Sequence, residues 1–456
     1  MIEYTIAGGA AGEAAGAAPV WSRTFMQPLA PAALTPFSLS VLAEMAGRSW
    51  YSYYDRLGFD PAPKSRVVRS LHGRPYFTLS LSAQLEAQAA GSEPPALLVN
   101  GAVRPLARWE KPGLFGGLKL RGGAGKLAAV LPNLPAELEA AADKGRAWLR
   151  RVQSLRWSQA EILQIMEEIE RVGAGTLQLF IAARLHAEFA RLRLLALLPS
   201  PATPDHLTAL NTALRPNGET VEAAIARRVA ELARSAAAEP DAAALLAAGD
   251  FAGWQSRLAA DGSAGPFADG LHALLEDYGH RCTGEGELMT PRWSEDPSPL
   301  LLAIADARAG SRAGAPQSAP AAADEGPFLA LVDPKRRKEA QALLAQARDA
   351  AILQSRALDV HAYTLAGTRI WALAAGHEAM GDGRLLAVED IFFYELEETK
   401  EMMTGEWNIS DLAGIHATAG ERKAEWQRQA QAAAGDLLIG DCEAFAPGWA
   451  ERFAKE

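Results

Sequence analysis

The 456-residue chain has two cysteines, Cys282 and Cys442, far apart and without CxxC spacing. That excludes a disulfide framework and a thiol metal ribbon, and it fits a reducing compartment. Positive charge is not in excess: 45 Lys and Arg stand against 55 Asp and Glu, a net of -10. A broad nucleic-acid or anionic-membrane face needs a basic surplus, so neither class is expected. A local basic pocket for one phosphate stays compatible with the count. Long apolar runs are missing too. The stretch Leu192 to Leu198 is short and follows Arg191 and Arg193, well under a membrane span. The N-terminus lacks the basic-then-apolar pattern of a secretory signal. A cytoplasmic protein is therefore expected. His72, His186, His206, His272, His361, His377 and His416 show no HExxH or paired-carboxylate spacing, so no metal site is expected.

What is present is an ordinary globular composition, 49% apolar and 22% charged, with length for about three domains. The first twenty residues, with Gly8-Gly9-Ala10-Ala11-Gly12 and Pro19, read as a loose lead-in. From Trp21 to about Ser80 aromatics are dense and prolines break the chain; Gly73-Arg74-Pro75 leads into a strand candidate at Tyr76-Phe77-Thr78-Leu79. Gly122-Gly123-Ala124-Gly125-Lys126 is followed by Leu127 rather than Ser or Thr, so it reads as a surface turn and not a P-loop.

Beyond this the chain is strongly helical. Ser158 and Glu161 form a capping box, and Ile162, Ile165, Met166, Ile169 and Val172 repeat at helical spacing. Gly173 and Gly175 are expected to interrupt, with a second helix from Leu177 to Leu198. Alanine-rich segments between about 220 and 260 predict amphipathic helices. Residues 309–327 are rich in Gly, Ala, Ser and Pro, the pattern of a mobile internal loop. Asp333-Pro334 predicts the start of a long helix, stopping at Gly381-Asp382-Gly383. A further helix ends at Met403, and the tail from Gly435 reads as loop. The expected fold is mainly α (α+β): a large helical domain with a small mixed α/β N-terminal region. The expected segments are a lead-in over 1–20, the mixed region over 21–130 and a helical region over 131–308. A mobile loop over 309–328 and a long-helix region over 329–456 complete the chain.

The densest chemistry lies in Tyr278-Gly279-His280-Arg281-Cys282-Thr283-Gly284-Glu285-Gly286-Glu287-Leu288, followed by Pro291-Arg292-Trp293. Glycine disfavours a helix interior by about 1 kcal/mol relative to alanine, so the span predicts a shaped loop or helix terminus. Arg281 and Arg292 carry the planar fork that matches phosphoryl or carboxylate oxygens. His280 is a candidate acid or base near neutral pH. Glu285 and Glu287 would orient the cations or accept a proton. The same residues fit a structural cluster of salt bridges and caps equally well. A cation beside Cys282 would lower its thiol pKa, but no second feature supports nucleophilic catalysis. On the long helix, Arg356, Val360, Tyr363 and Gly367 share a face. Arg369 lies thirteen residues beyond Arg356, more than half a turn around the axis. A straight helix cannot aim both at one site; Arg356 is preferred as the anion ligand, and a solvated or salt-bridged arginine fits that position at least as well. Trp407 reads as a packing aromatic.

Three stretches, in order, resemble the substrate-binding region of the phosphoenolpyruvate-synthase-like dikinase superfamily, especially its rifampicin phosphotransferase branch. Trp21-Ser22-Arg23, Leu34-Thr35-Pro36 and Gly73-Arg74-Pro75-Tyr76-Phe77 resemble its opening. Gly279-His280-Arg281 through Glu285, Glu287 and Pro291-Arg292-Trp293 resembles its central signature. Gly383 to Leu385 with Glu389-Asp390-Ile391-Phe392-Phe393 resembles its close. The resemblance implies a catalytic group of His280, Arg281, Glu285 and Glu287, with Arg292, Arg356, Arg23 and Thr35 binding substrate or phosphoryl group. In that family an ATP-grasp domain binds ATP, a swivelling domain carries a phosphohistidine, and this region receives the phosphoryl group. The Gly-Gly and Ser-His-Ala phosphohistidine signature is absent from this sequence, and no ATP-grasp region is expected before Trp21. Cys282-Thr283 replaces the family's usual Gly-Pro, and Val360 stands where a basic residue is usual. The expectation is an acceptor-binding component, inactive alone and binding no cofactor itself. An ATP-grasp subunit and a phosphohistidine subunit would act in trans and bring ATP and magnesium. The acceptor would be a small organic hydroxyl or enolate, with apolar walls supplied by the aromatics between Trp21 and Phe77. The alternative is a non-catalytic binding or scaffold protein that keeps the fold.

Overall fold

The computed structural model describes residues 18–58, 67–90, 93–94, 96–99, 102–107, 116–199, 202–258, 265–312, 323–405, 412–440 and 442–443. In chain order these form β1 (Val20–Ser22), α1 (Arg23–Met26), α2 (Pro36–Arg56), β2 (Val68–Leu71), β3 (Arg74–Thr78) and α3 (Leu79–Ala90). Then come β4 (Ala96–Val99), β5 (Ala102–Pro105), α4 (Gly116–Ser154), α5 (Gln159–Leu195) and α6 (Pro204–Ala213). Five helices follow: α7 (Val221–Ser235), α8 (Pro240–Ala248), α9 (Trp254–Leu258), α10 (Pro266–Tyr278) and α11 (Ser298–Arg312). The chain continues with α12 (Gly326–Leu331), a 3-10 turn (Pro334–Arg336), α13 (Arg337–Gly381) and a second 3-10 segment (Val388–Phe393). It closes with α14 (Leu396–Thr404), α15 (Leu412–Gln431), β6 (Leu437–Ile439) and β7 (Cys442–Glu443). The fold is mainly α with a small α/β region, as the sequence pattern implies.

Two compact units divide these elements. The first holds Met1–Asn217, Gly286–Met289 and Ala323–Glu456; the second holds Gly218–Glu285 and Thr290–Ala322.

In the first unit the long helices α5 and α13 pack along one another. α13 runs for 45 residues, about 67 Å at a rise of about 1.5 Å per residue. Its buried side is rich in alanine, threonine and glycine, which lets neighbouring backbones approach. Gly367 shows why: a Cβ there would stand 2.2 Å from Cζ3 of Trp148 on α4. Trp371 donates its indole N–H to the Ile162 carbonyl (2.8 Å), tying α13 to the start of α5. The buried Thr176 hydroxyl meets Nδ1 of His361 (2.9 Å) and Oγ1 of Thr364 (3.1 Å), linking the two helices by polar contacts.

The sheet of this unit has the order β2-β3-β1-β6-β7 and is antiparallel throughout. β1 lies at its middle, with Trp21 opposite Thr78 on one side and Leu438 on the other. The tail after Gly435 was expected to be loop; instead Leu437–Ile439 pairs with Val20–Ser22. Three apolar residues are too short a run to announce a strand, and its partner lies at the far end of the sequence. Three further expectations are corrected. Gly173 and Gly175 lie inside one continuous α5. Gly173 is there for contact, since a Cβ would stand 2.3 Å from Cε of Met45 on α2. Gly122-Gly123-Ala124-Gly125-Lys126 lies within α4 rather than in a surface turn. Of the described aromatics in the span, Trp21, Phe25, Phe37, Trp50, Tyr53, Tyr54, Tyr76 and Phe77 are core rather than a ligand wall. Phe25 stacks on Phe77 at 4.1 Å, Trp50 meets Tyr54 edge-on at 4.9 Å, and all four are buried. Residues 1–17, 313–322 and Trp407, read above as lead-in, loop and packing aromatic, lie outside the described residues.

The second unit is a helical cluster with its own core. Leu232, Phe267, Leu271, Leu274, Leu301 and Ile304 meet inside it. Glu239 before α8 accepts hydrogen bonds from Phe267 N–H (2.8 Å) and the Ser235 hydroxyl (2.9 Å), which satisfies the start of α10.

Among the described residues no helix is long and apolar enough to cross a membrane.

Candidate functional site

In the second unit, α10 stops at Gly279, whose N–H donates to the Leu275 carbonyl (2.7 Å). A Cβ at this position would stand 2.3 Å from that carbonyl oxygen, so glycine permits the tight exit. The chain then turns through Gly284, at φ +78, a region L side chains avoid. It later folds back on itself: Trp293 N–H donates to the Arg281 carbonyl and Ser294 N–H to the Gly279 carbonyl, both at 2.8 Å. This pairing brings Arg281 and Arg292 to the same carboxylate.

That carboxylate is Glu285. Its Oε1 lies 2.5 Å from Nε of Arg281, and its Oε2 lies 3.8 Å from Nη1 of Arg292. The Cys282 N–H donates to it as well. Arg281 also reaches Glu222 of α7 at 3.5 Å. Nη1 of Arg292 donates to the Glu285 carbonyl (3.1 Å) and to the Cys282 sulfur. Arg292 is 1% exposed, Glu285 3% and Arg281 4%. Nε and Nη2 of Arg292 have no hydrogen-bond partner among the described residues. His280 is buried beside them in the chain. Two guanidinium groups thus share one carboxylate away from water, and one of them keeps two donors in reserve.

The thiol of Cys282 does not behave as an activated nucleophile. Burial pushes it up to about 11, outweighing the guanidinium of Arg292, and the Glu285 charge adds to the rise. The cation expected to lower it is present, but so is a carboxylate in a dry setting. Among the described residues no group of three or more His, Cys, Asp or Glu is arranged to hold a metal ion.

In the first unit, Gly286–Met289 is pinned from several sides. Gly286 N–H donates to the Leu29 carbonyl (2.8 Å). Glu287 caps the start of α2: it accepts from Thr35 N–H (2.7 Å), Thr35 Oγ1 (3.0 Å) and Ser38 Oγ (2.8 Å). It also accepts from Met289 N–H (2.8 Å). A carboxylate at a helix N-terminus is favoured by the orphan N–H groups and the helix dipole.

The residues singled out from sequence therefore fall into separate groups. Arg281, Glu285 and Arg292 meet in the second unit, and Thr35 and Glu287 meet in the first. Arg23 pairs with Asp436 at 2.5 Å, tying α1 to the chain leading into β6. Arg356 is exposed on α13. Sequence reasoning passed over Arg369, which is buried and donates from Nη1 to the carbonyls of Leu288 (2.8 Å) and Met289 (2.9 Å). The signal was available: Arg369 sits in a buried run from Val360 to Arg369, where an arginine needs fixed acceptors. It also missed Ser38, one turn after the Thr35 cap.

Residues 174–355 match the family model described as the rifampicin phosphotransferase fourth domain. The resemblance drawn from the central signature is thus found over that stretch. The match takes in His280, Arg281, Glu285, Glu287 and Arg292, and leaves Arg23, Thr35 and Arg356 outside it. No curated protein matches the chain.

Proposed function

We propose that this chain is the acceptor-binding component of an ATP-dependent phosphotransferase. The observation that carries the reading is the family match over residues 174–355, whose middle holds the two-arginine loop. Phosphoryl transfer is catalysed mainly by positioning and by fixed charge around the moving group. Arg292 suits that task, because Nε and Nη2 are free among the described residues and a guanidinium fork matches phosphoryl oxygens. Arg281 acts through Glu285, holding the carboxylate that sets Arg292. Glu287 already accepts from four donors, so we assign the acceptor's hydroxyl proton to His280. The phosphoryl group arrives from a phosphohistidine on a partner polypeptide. ATP and magnesium bind an ATP-grasp partner. The acceptor is a small organic hydroxyl or enolate, and the setting is the cytoplasm.

A second reading, a non-catalytic binding or scaffold protein, is favoured by the burial of both arginines and by the raised Cys282 thiol. The two are separated by mixing the full chain with ATP-grasp and phosphohistidine partners and labelled ATP. Label entering the small-molecule fraction only when this chain is present supports the phosphotransferase. Transfer that proceeds without the chain, or survives Arg281→Ala unchanged, removes the assigned role.

A further inference from the structure

Lys126, at the end of the glycine cluster, has no part in the function proposed above. It lines a small cleft of the first unit, where the end of α2, the first half of α4 and the middle of α5 meet. The cleft holds about 200 Å³, below the roughly 300–1,000 Å³ of drug-sized pockets, so it suits a small molecule. Leu57, Leu134 and Leu179 give it apolar walls.

Three polar groups on those walls, of Gln178, Lys126 and Asn133, are uncommitted among the described residues. Gln178 is 7% exposed. Its Oε1 accepts from the Ser52 hydroxyl at 3.0 Å, while Nε2 has no hydrogen-bond partner among the described residues. A buried amide end left unpaired is costly, and a ligand oxygen would relieve it. Lys126 makes no ion pair among the described residues. Its Nζ lies 3.0 Å from where a Cβ would stand at Gly58, so glycine there leaves the ammonium room. The neighbouring cation is already neutralised: Arg56 grips Glu137 with two hydrogen bonds, of 2.8 and 3.1 Å. What remains on these walls, among the described residues, is one free positive charge, the buried amide donor of Gln178 and the exposed amide of Asn133, over an apolar wall.

We propose that this cleft binds a small organic anion, a carboxylate on a short apolar body. The carboxylate pairs with Lys126, Gln178 Nε2 donates to a ligand oxygen, and the body lies on Leu57, Leu134 and Leu179. The site is independent of the phosphotransferase reading and stands or falls separately.

The test is calorimetric titration of the full chain with hexanoate and, as the uncharged control, hexanol. Hexanoate should bind about tenfold or more tightly than hexanol, a difference of about 1.4 kcal/mol. Lys126→Met should abolish the preference and Lys126→Arg should keep it; Lys126 is exposed, so neither change threatens folding. Failure of hexanoate to bind at about 20 mM, on a scale where 1 mM corresponds to about 4 kcal/mol, would overturn the proposal. So would a preference for hexanoate that survives Lys126→Met.

Discussion

Glu285→Gln tests the buried cluster most sharply. The carboxylate is 3% exposed and faces Arg281 and Arg292, themselves 4% and 1% exposed. Glutamine keeps the volume and one acceptor oxygen but removes the charge that faces both guanidinium groups. Glu222 is a poor replacement, because its side chain is 53% exposed where it meets Arg281 at 3.5 Å, and an exposed carboxylate offsets a charge weakly. Removing one partner of a buried ion pair leaves an uncompensated charge and costs about 3–5 kcal/mol. That is a large share of a typical stability of about 5–15 kcal/mol. Because the cluster belongs to the second unit, hydrogen exchange of α10 and α11 reports the loss more cleanly than a global probe. Protection there should fall while that of α5 and α13 holds. Adding Arg281→Met to Glu285→Gln should recover part of the loss, since one of the unpaired charges is then gone. An anion with affinity for the arginines should stabilise Glu285→Gln more than the natural chain. A cost under about 1 kcal/mol, the range of exposed pairs, would refute the picture of a dry, shared carboxylate.

Other expectations concern the first unit. Burial raises the buried Glu86 carboxyl from 4.5 to about 7 against the opposing charge of Arg193; the folded state holds its proton, so stability is greatest below pH 4.5 and is lost as pH rises toward 7. The gap between those two values corresponds to about 3 kcal/mol at most, and Glu86→Gln should therefore stabilise at pH 8 but not at pH 4. Burial, aided by the Arg193 charge, lowers His186 from 6.5 to about 4, so its contribution is present above pH 6.5 and lost as pH falls toward 4. The two slopes oppose each other between about pH 4.5 and 6.5, and His186→Gln should uncover the falling slope of Glu86 in urea unfolding across that range. Gly367→Ala would drive a Cβ into Trp148 and should cost about 1–3 kcal/mol. At Gly381, where nothing lies within 4 Å, the same change should be neutral or gain up to about 1 kcal/mol.

Local chemistry was legible in the sequence and long-range closure was not. Ser158 with Glu161, Asp333 before Pro334, and the glycine stop at 381 each announce a helix end through groups within a few residues. Arg281, Glu285 and Arg292 were legible as one cluster for the same reason: the loop that joins them spans only fourteen positions after Tyr278. Gly173 misled because a glycine that ends a helix and one that admits a neighbour's side chain look alike in sequence; Met45, which decides between them, lies on another helix. The capping of Thr35 by Glu287 joins residues 252 positions apart. Spacing alone could not have paired them: Glu287 stood out from its own loop, and only the family resemblance put Thr35 among the candidates. A single residue, Gly286, separates Glu285 from Glu287, yet one neutralises arginines in the second unit and the other caps a helix in the first.

The central claim is that a phosphoryl group made elsewhere is received at the Arg292 loop. The measurement is the rate at which label from a phosphohistidine partner enters a small-molecule acceptor with the full chain present, for the natural sequence and for Arg292→Lys. Lysine keeps the charge and loses the fork, and circular dichroism shows whether the fold survives. The account predicts transfer that requires the chain and falls about 100-fold or more in the variant, the scale of losing one aligned donor to a developing charge. Equal rates for the two chains, with both folded, would contradict it.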